Sequence, residues 1–170
     1  MGYTHYWDLK GEVTPETKKQ MKTAVWELNL LIDRLPGTTD TAGGYYADEP
    51  LKICGGDGTG KPNITDEVIC FNGCAKDGND YESFYFNINN VEWTFCKTAR
   101  KPYDFVVCLA LICLTNNLEG FKFSSDGGLD DWKPAVDFYF DKTGREITEN
   151  LKDSMLSVFG VYDNTELHKN

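Results

Sequence analysis

Apolar positions recur along the chain with two different periods, and the switches between them mark the predicted elements. Residues 3–9, YTHYWDL, alternate bulky and smaller side chains as a strand does. Met21, Val25, Leu28, Ile32 and Leu35 then follow at steps of four, three, four and three, which predicts a helix with one face on a sheet. Thr14 supplies its N-cap, Pro15 its first position and Pro36-Gly37 its stop. Gly, Thr and Asp dominate residues 38–50 and 55–63, predicting loops around a short strand at 51–54.

Two antiparallel strands are predicted at 67–72 and 83–89, because Phe84, Phe86 and Ile88 alternate with Tyr85 and Asn87. A second helix is expected to start at Thr98 or Lys101, with Pro102 in its first turn. Its segment 105–114 is apolar on all sides, as in a helix buried between other elements. Residues 121–124 read as a strand. The stretch DDWKPAVDFYF suits a helix through Trp132, Val136 and Tyr139 or Phe140, and a strand through Val136, Phe138 and Phe140; helix is the preferred reading. Ile147, Leu151, Met155 and Val158 or Phe159 make a last helix closed by Gly160, followed by a polar tail at 161–170. With no repeat and no linker, the pattern gives one α+β domain over 1–170, an antiparallel or mixed sheet packed on two to four helices, with 38–63 as a loop-rich insertion.

Composition narrows the function classes. A 170-residue chain buries roughly 70% of its unfolded surface, so its core needs no metal or disulfide. The net charge of -10 opposes binding to duplex DNA or an anionic membrane, while a small anion in a local pocket stays compatible. The start MGYTHYW has no secretory pattern, and Tyr6 stands where a myristoylation signal needs Ser or Thr. The longest apolar run, 105–114, is half the about 20 residues of a membrane-spanning helix. These features read as a soluble cytoplasmic protein. None of the six cysteines forms a C-x-x-C pair, so they read as free thiols in a reducing compartment; a zinc site from Cys70 and Cys74 with Cys54 or Cys96 is the alternative. No cofactor is expected.

GGDGTGK, residues 55–61, spells a phosphate loop, but Pro62 replaces the Ser or Thr that holds magnesium and no long helix follows. A surface turn is the expectation. The loop aspartates Asp40, Asp48, Asp57, Asp77 and Asp80 lack the spacing of a calcium loop. Only His5 and His168 are present, and His5 in GYTHYW has no nucleophile beside it, so a structural or stacking role precedes general-base work.

FCKTARKPYD, residues 95–104, concentrates Lys97, Arg100 and Lys101 in an acidic chain, next to Thr98 and Tyr103. At a helix N-terminus these cations and free N–H groups suit a phosphate or carboxylate; the alternative is pairing of Arg100 and Lys101 with Asp104 or Glu92. SSDGG at 124–128 offers Ser124, Ser125 and Asp126 to phosphate oxygens or sugar hydroxyls, or is a plain turn. His5, Tyr6, Trp7 and Trp132, with Tyr3, supply rings on which a base can stack.

The combination of GYTHYW, FCKTARKPYD and SSDGG-x-x-DW resembles a family of small uncharacterised proteins from tailed phages and bacteria. That resemblance implies a counter-defence role. The expected function is capture of a small phosphorylated nucleotide signal without catalysis, in a homo-oligomer, by Lys97, Thr98, Arg100, Lys101, Tyr103, Ser124, Ser125, Asp126 and the rings. The alternatives are an acidic inhibitor docking on a host protein and a nucleotide hydrolase using His5 or Asp126.

Overall fold

A computed structural model describes residues 2–37, 50–90 and 92–160. The expected loop at 38–49 and the tail at 161–170 lie outside the described residues. The elements run β1 Thr4–Leu9, α1 Pro15–Ile32, β2 Asn63–Ile64, β3 Val68–Phe71, β4 Phe84–Asn87, β5 Thr94–Lys97, α2 Asp104–Asn117, β6 Phe121–Ser125, α3 Leu129–Thr143 and α4 Glu149–Phe159. The α+β class is therefore as predicted. The strands form two small antiparallel sheets, ordered β5-β1-β6 and β2-β3-β4.

Local chemistry explains the helices. Thr14 and Thr17 make a reciprocal cap, each side chain accepting from the other's backbone N–H, with Pro15 in the first turn of α1; such a cap contributes about 1 kcal/mol. Met21, Ala24, Val25, Leu28 and Leu31 form the buried face of α1, and Ile32 and Leu35 pack at its margin. Every residue of α2 except Asn117 is buried. That burial follows from position, since α1, α3, α4 and β6 all pack against α2. The ambiguous segment 129–143 is a helix because Trp132, Ala135, Val136 and Tyr139 line one side of it at helical spacing. Gly160 closes α4 with a φ of 73°, a left-handed conformation that suits glycine.

Three expectations need correction. Residues 51–54 form no strand; Cys54 makes only an isolated bridge to Asn72, and Pro50 one to Gly37. α2 begins at Asp104, after a turn. The cysteines are not all free: Cys54 and Cys74 are joined in a disulfide, their Cα atoms 5.2 Å apart. The Cys54–Asn72 bridge brings the two sulfurs within reach across 20 residues of sequence, so no zinc ligand set can draw on either. Disulfides persist in oxidising surroundings, and cysteine usage thus gives no support to a reducing compartment. No helix among the described residues is long and apolar enough to cross a membrane.

Of the four free thiols, Cys96, Cys108 and Cys113 are buried and Cys70 is half-buried. Burial pushes the Cys96 thiol up to about 12 and Cys108 and Cys113 well above the ordinary thiol range. Mass spectrometry after alkylation of the native chain should find label on Cys70 alone. Unfolding without reductant should give four labels and unfolding with reductant six; six labels without reductant would contradict the disulfide.

Candidate functional site

The register around β1 sorts the expected site residues. β1 is the middle strand, with His5 opposite Cys96 and Ser125, and Tyr6 opposite Phe95 and Ser124. Alternation turns His5, Trp7 and Leu9 toward the core and leaves Tyr6 and Asp8 on the outer face.

Inside, His5 is fully buried and lies between two partners. Its Nδ1 is 2.8 Å from Ser125 Oγ and its Nε2 is 2.6 Å from Asp104 Oδ1. Ser125 Oγ also accepts from the Gly127 N–H at 2.9 Å and from Trp132 Nε1–H at 3.1 Å. Two donors occupy the two lone pairs of that hydroxyl, so its own hydrogen points to His5 Nδ1. Nε2 then carries the ring hydrogen and donates to Asp104. The Thr98 hydroxyl donates to the same Asp104 oxygen at 2.6 Å, and the Cys108 sulfur lies 3.8 Å from the other oxygen.

The order Ser125, His5, Asp104 has the polarity of a hydrolytic triad. Its chemistry is nevertheless that of a lock: the serine lone pairs are engaged and the imidazole is sealed from solvent. The three side chains His5, Asp104 and Cys108 also lie close enough to suggest a metal site. A metal on Nε2 requires that nitrogen without its hydrogen, which the donors on Ser125 oppose, because Nδ1 would then become a third donor to one hydroxyl.

Of the cations of FCKTARKPYD, Arg100 and Lys101 are bound within the protein, while Lys97 Nζ lies 6.0 Å from the centre of the Tyr81 ring. Ala99 and Arg100 both have positive φ, 52° and 58°. This left-handed pair turns the chain from β5 toward α2 at a cost on the order of 1–2 kcal/mol per residue. It lays the Arg100 guanidinium over the Tyr3 ring at 4.0 Å and against the Asp131 carboxylate. Lys101 Nζ donates to the Gly78 carbonyl at 2.8 Å, and the Tyr103 hydroxyl donates to the Glu82 carbonyl at 2.6 Å. The free N–H groups expected at the start of α2 are not found: the amides of Asp104, Phe105 and Val106 donate back to Lys101, Pro102 and Tyr103. Asp104 and Glu92, the acids suggested for Arg100 and Lys101, take neither. Asp126 accepts from the Thr4 N–H at 3.0 Å. Trp7 stacks on Phe84 and Trp132 on Phe123 within the core.

GGDGTGK is the surface turn anticipated. Asp57 Oδ1 accepts from both the backbone N–H and the hydroxyl of Thr59, at 2.9 Å each, and those bonds hold its carboxyl below the ordinary carboxylate range.

Outside, the sheet presents a ring-bearing face that includes residues the motifs did not contain. Row by row it carries Lys97, Thr4 and Asp126, then Phe95, Tyr6 and Ser124, then Asp8 and Lys122, with Trp93 two residues before Phe95, just ahead of β5. Tyr6 stacks on Trp93 with centroids 5.8 Å apart and an interplanar angle of 19°, and Phe95 tilts against both. Trp93 is 62% exposed and Phe95 49%. Between Trp93 and Lys122 lies a depression of about 220 Å³, lined by Tyr6, Asp8 and Ser124 among others. Of the expected site residues, Tyr6, Trp7 and Ser124 line it. Trp93, Asp8 and Lys122 were missed, although VEWTFCK, residues 91–97, alternates Trp93 and Phe95 with smaller side chains in the two-residue period of a strand.

Comparisons with protein-family models, curated proteins and solved structures find no match to this chain.

Proposed function

We propose that the protein is a non-enzymatic binding protein that captures a small phosphorylated nucleotide in the depression beside Trp93. The observation carrying this reading is the convergence, around one 220 Å³ depression, of a stacked ring pair, a cation, a hydroxyl and a carboxylate. A base stacks on the open side of Trp93, whose other side is backed by Tyr6. A phosphate meets Lys122 and the Ser124 hydroxyl, and Asp8 accepts from a sugar hydroxyl. Among the described residues Lys122 pairs with exposed Asp153 at 3.7 Å, a contact worth little and easily released. The charge of -10 restricts the ligand to a short anion, because a polyanion meets repulsion from the rest of the surface. The resemblance to phage proteins favours sequestration of a host nucleotide signal as the purpose.

Calorimetric titration with ribonucleotides, cyclic dinucleotides and ADP-ribose derivatives tests this. At least one should bind. Trp93→Ala and Lys122→Glu should each weaken that ligand by roughly tenfold or more, given stacking worth about 1–3 kcal/mol per base. Arg100→Ala should leave it unchanged, since Arg100 is engaged by Tyr3 and Asp131. Silence across the panel, or full affinity in Trp93→Ala, would overturn the reading.

A further inference from the structure

The outer face of the β5-β1-β6 sheet is complementary to itself. Its rows are related by register, so a second copy can be turned over about an axis that runs across the strands through Tyr6. This operation keeps each column in place and exchanges the first row with the third. Lys122 of each copy then meets Asp126 of the other, and Lys97 meets the exposed Trp93 ring. Phe95, Tyr6 and Ser124 lie on the axis and meet their own counterparts. The pairings are cation with carboxylate, cation with ring, ring with ring and, at Ser124, hydroxyl with hydroxyl. A closed two-fold contact of this kind uses the same patch on both subunits.

The need for cover is visible in the exposures: Trp93 at 62% and Phe95 at 49% are large rings left in water on this face. Three strands about 4.8 Å apart make a face at the small end of stable interfaces, so the contact is expected to be weak and concentration-dependent.

We infer that the protein forms a two-fold dimer through this sheet face, and that nucleotide binding beside Trp93 dissociates it. The second clause rests on the function proposed above. A base on Trp93 takes the place of Lys97 from the other copy, and a phosphate on Lys122 takes the place of Asp126 and repels it. Ligand and second copy therefore compete, and each weakens the other by the same factor.

Sedimentation equilibrium of the whole chain at increasing concentration reads the dimer, first alone and then with the nucleotide that binds best in calorimetry. The expected result is a monomer–dimer equilibrium that Phe95→Asp abolishes while circular dichroism stays unchanged. Phe95 is exposed, so this variant should remain folded; because its ring tilts against Tyr6 and Trp93, it reads the dimer alone, and nucleotide binding is read in the parent chain. Added nucleotide should weaken the dimer of the parent chain by roughly tenfold. A monomer throughout, or a dimer that Phe95→Asp preserves, overturns the dimer and leaves nucleotide capture standing. A dimer that Phe95→Asp breaks but a bound nucleotide does not shift overturns the competition. A dimer in a chain that binds no nucleotide overturns the proposed function and keeps the interface.

Discussion

Asp104→Ala is expected to cost about 2–6 kcal/mol of folding free energy, since leaving a buried donor unsatisfied costs about 1–3 kcal/mol and two are stranded. The reason lies in what the substitution strands. Asp104 accepts from His5 Nε2 at 2.6 Å and from the Thr98 hydroxyl at 2.6 Å, and His5 and Thr98 are both fully buried. Alanine leaves two donors without acceptors at the place where β1, the turn after β5 and α2 meet. Water cannot substitute without opening that junction. Asp104→Asn keeps an acceptor oxygen in position and should lose less, about 1–2 kcal/mol. Urea denaturation followed by circular dichroism measures both. A loss below about 1 kcal/mol in Asp104→Ala would show that the junction tolerates unpaired polar groups, contrary to the general cost of burying them.

Gly73→Ala is the second large effect, about 3 kcal/mol of destabilisation from overpacking. A Cβ at residue 73 would lie 1.9 Å from the Asn79 carbonyl oxygen and 3.0 Å from the Tyr103 ring. The obstacle is backbone, and it is pinned. Asn79 N–H donates to Cys74 O, and Asn72 binds the Gly73 and Tyr81 amides and the Gly56 and Tyr81 carbonyls. The Cys54–Cys74 disulfide closes the same loop. Gly78→Ala, a few residues away, provides the comparison: its φ of 69° is left-handed, but nothing lies within 4 Å of the added carbon. That variant should lose only about 1–2 kcal/mol, the cost of a left-handed non-glycine residue. Thermal denaturation of the two variants should separate them clearly, and equal midpoints would contradict the packing described.

Local patterns made the helices legible and long-range register made the site opaque. Thr14-Pro15 and the spacing of Met21, Val25 and Leu28 act within a turn or two of chain, so α1 could be read directly. The uniform apolarity of 105–114 likewise announced a buried helix, as α2 is. Which side of β1 faces the core depends on pairing with β5 and β6, over 80 residues away, and no local signal carries it. That single fact divides the aromatic N-terminus, sending His5 and Trp7 inward and Tyr6 outward. FCKTARKPYD looked like an anion site because its cations cluster in sequence. Asp131, which engages Arg100, is 31 residues away and invisible to that view. The disulfide was unreadable for the same reason, since loose spacing says nothing of the bridge that aligns Cys54 with Asn72.

Under the proposed function the nucleotide rests on one tryptophan, and the chain has four with different surroundings. Trp7 and Trp132 are buried, while Trp26 and Trp93 are 65% and 62% exposed. Their indole N–H signals in a ¹⁵N-labelled sample report separately on titration with a ribonucleotide. Capture in the depression beside Tyr6 predicts a progressive, saturable shift of the Trp93 signal, with Trp26 unmoved and the shift lost in Lys122→Glu. A Trp93 signal indifferent to every nucleotide that the calorimetry finds to bind would contradict it.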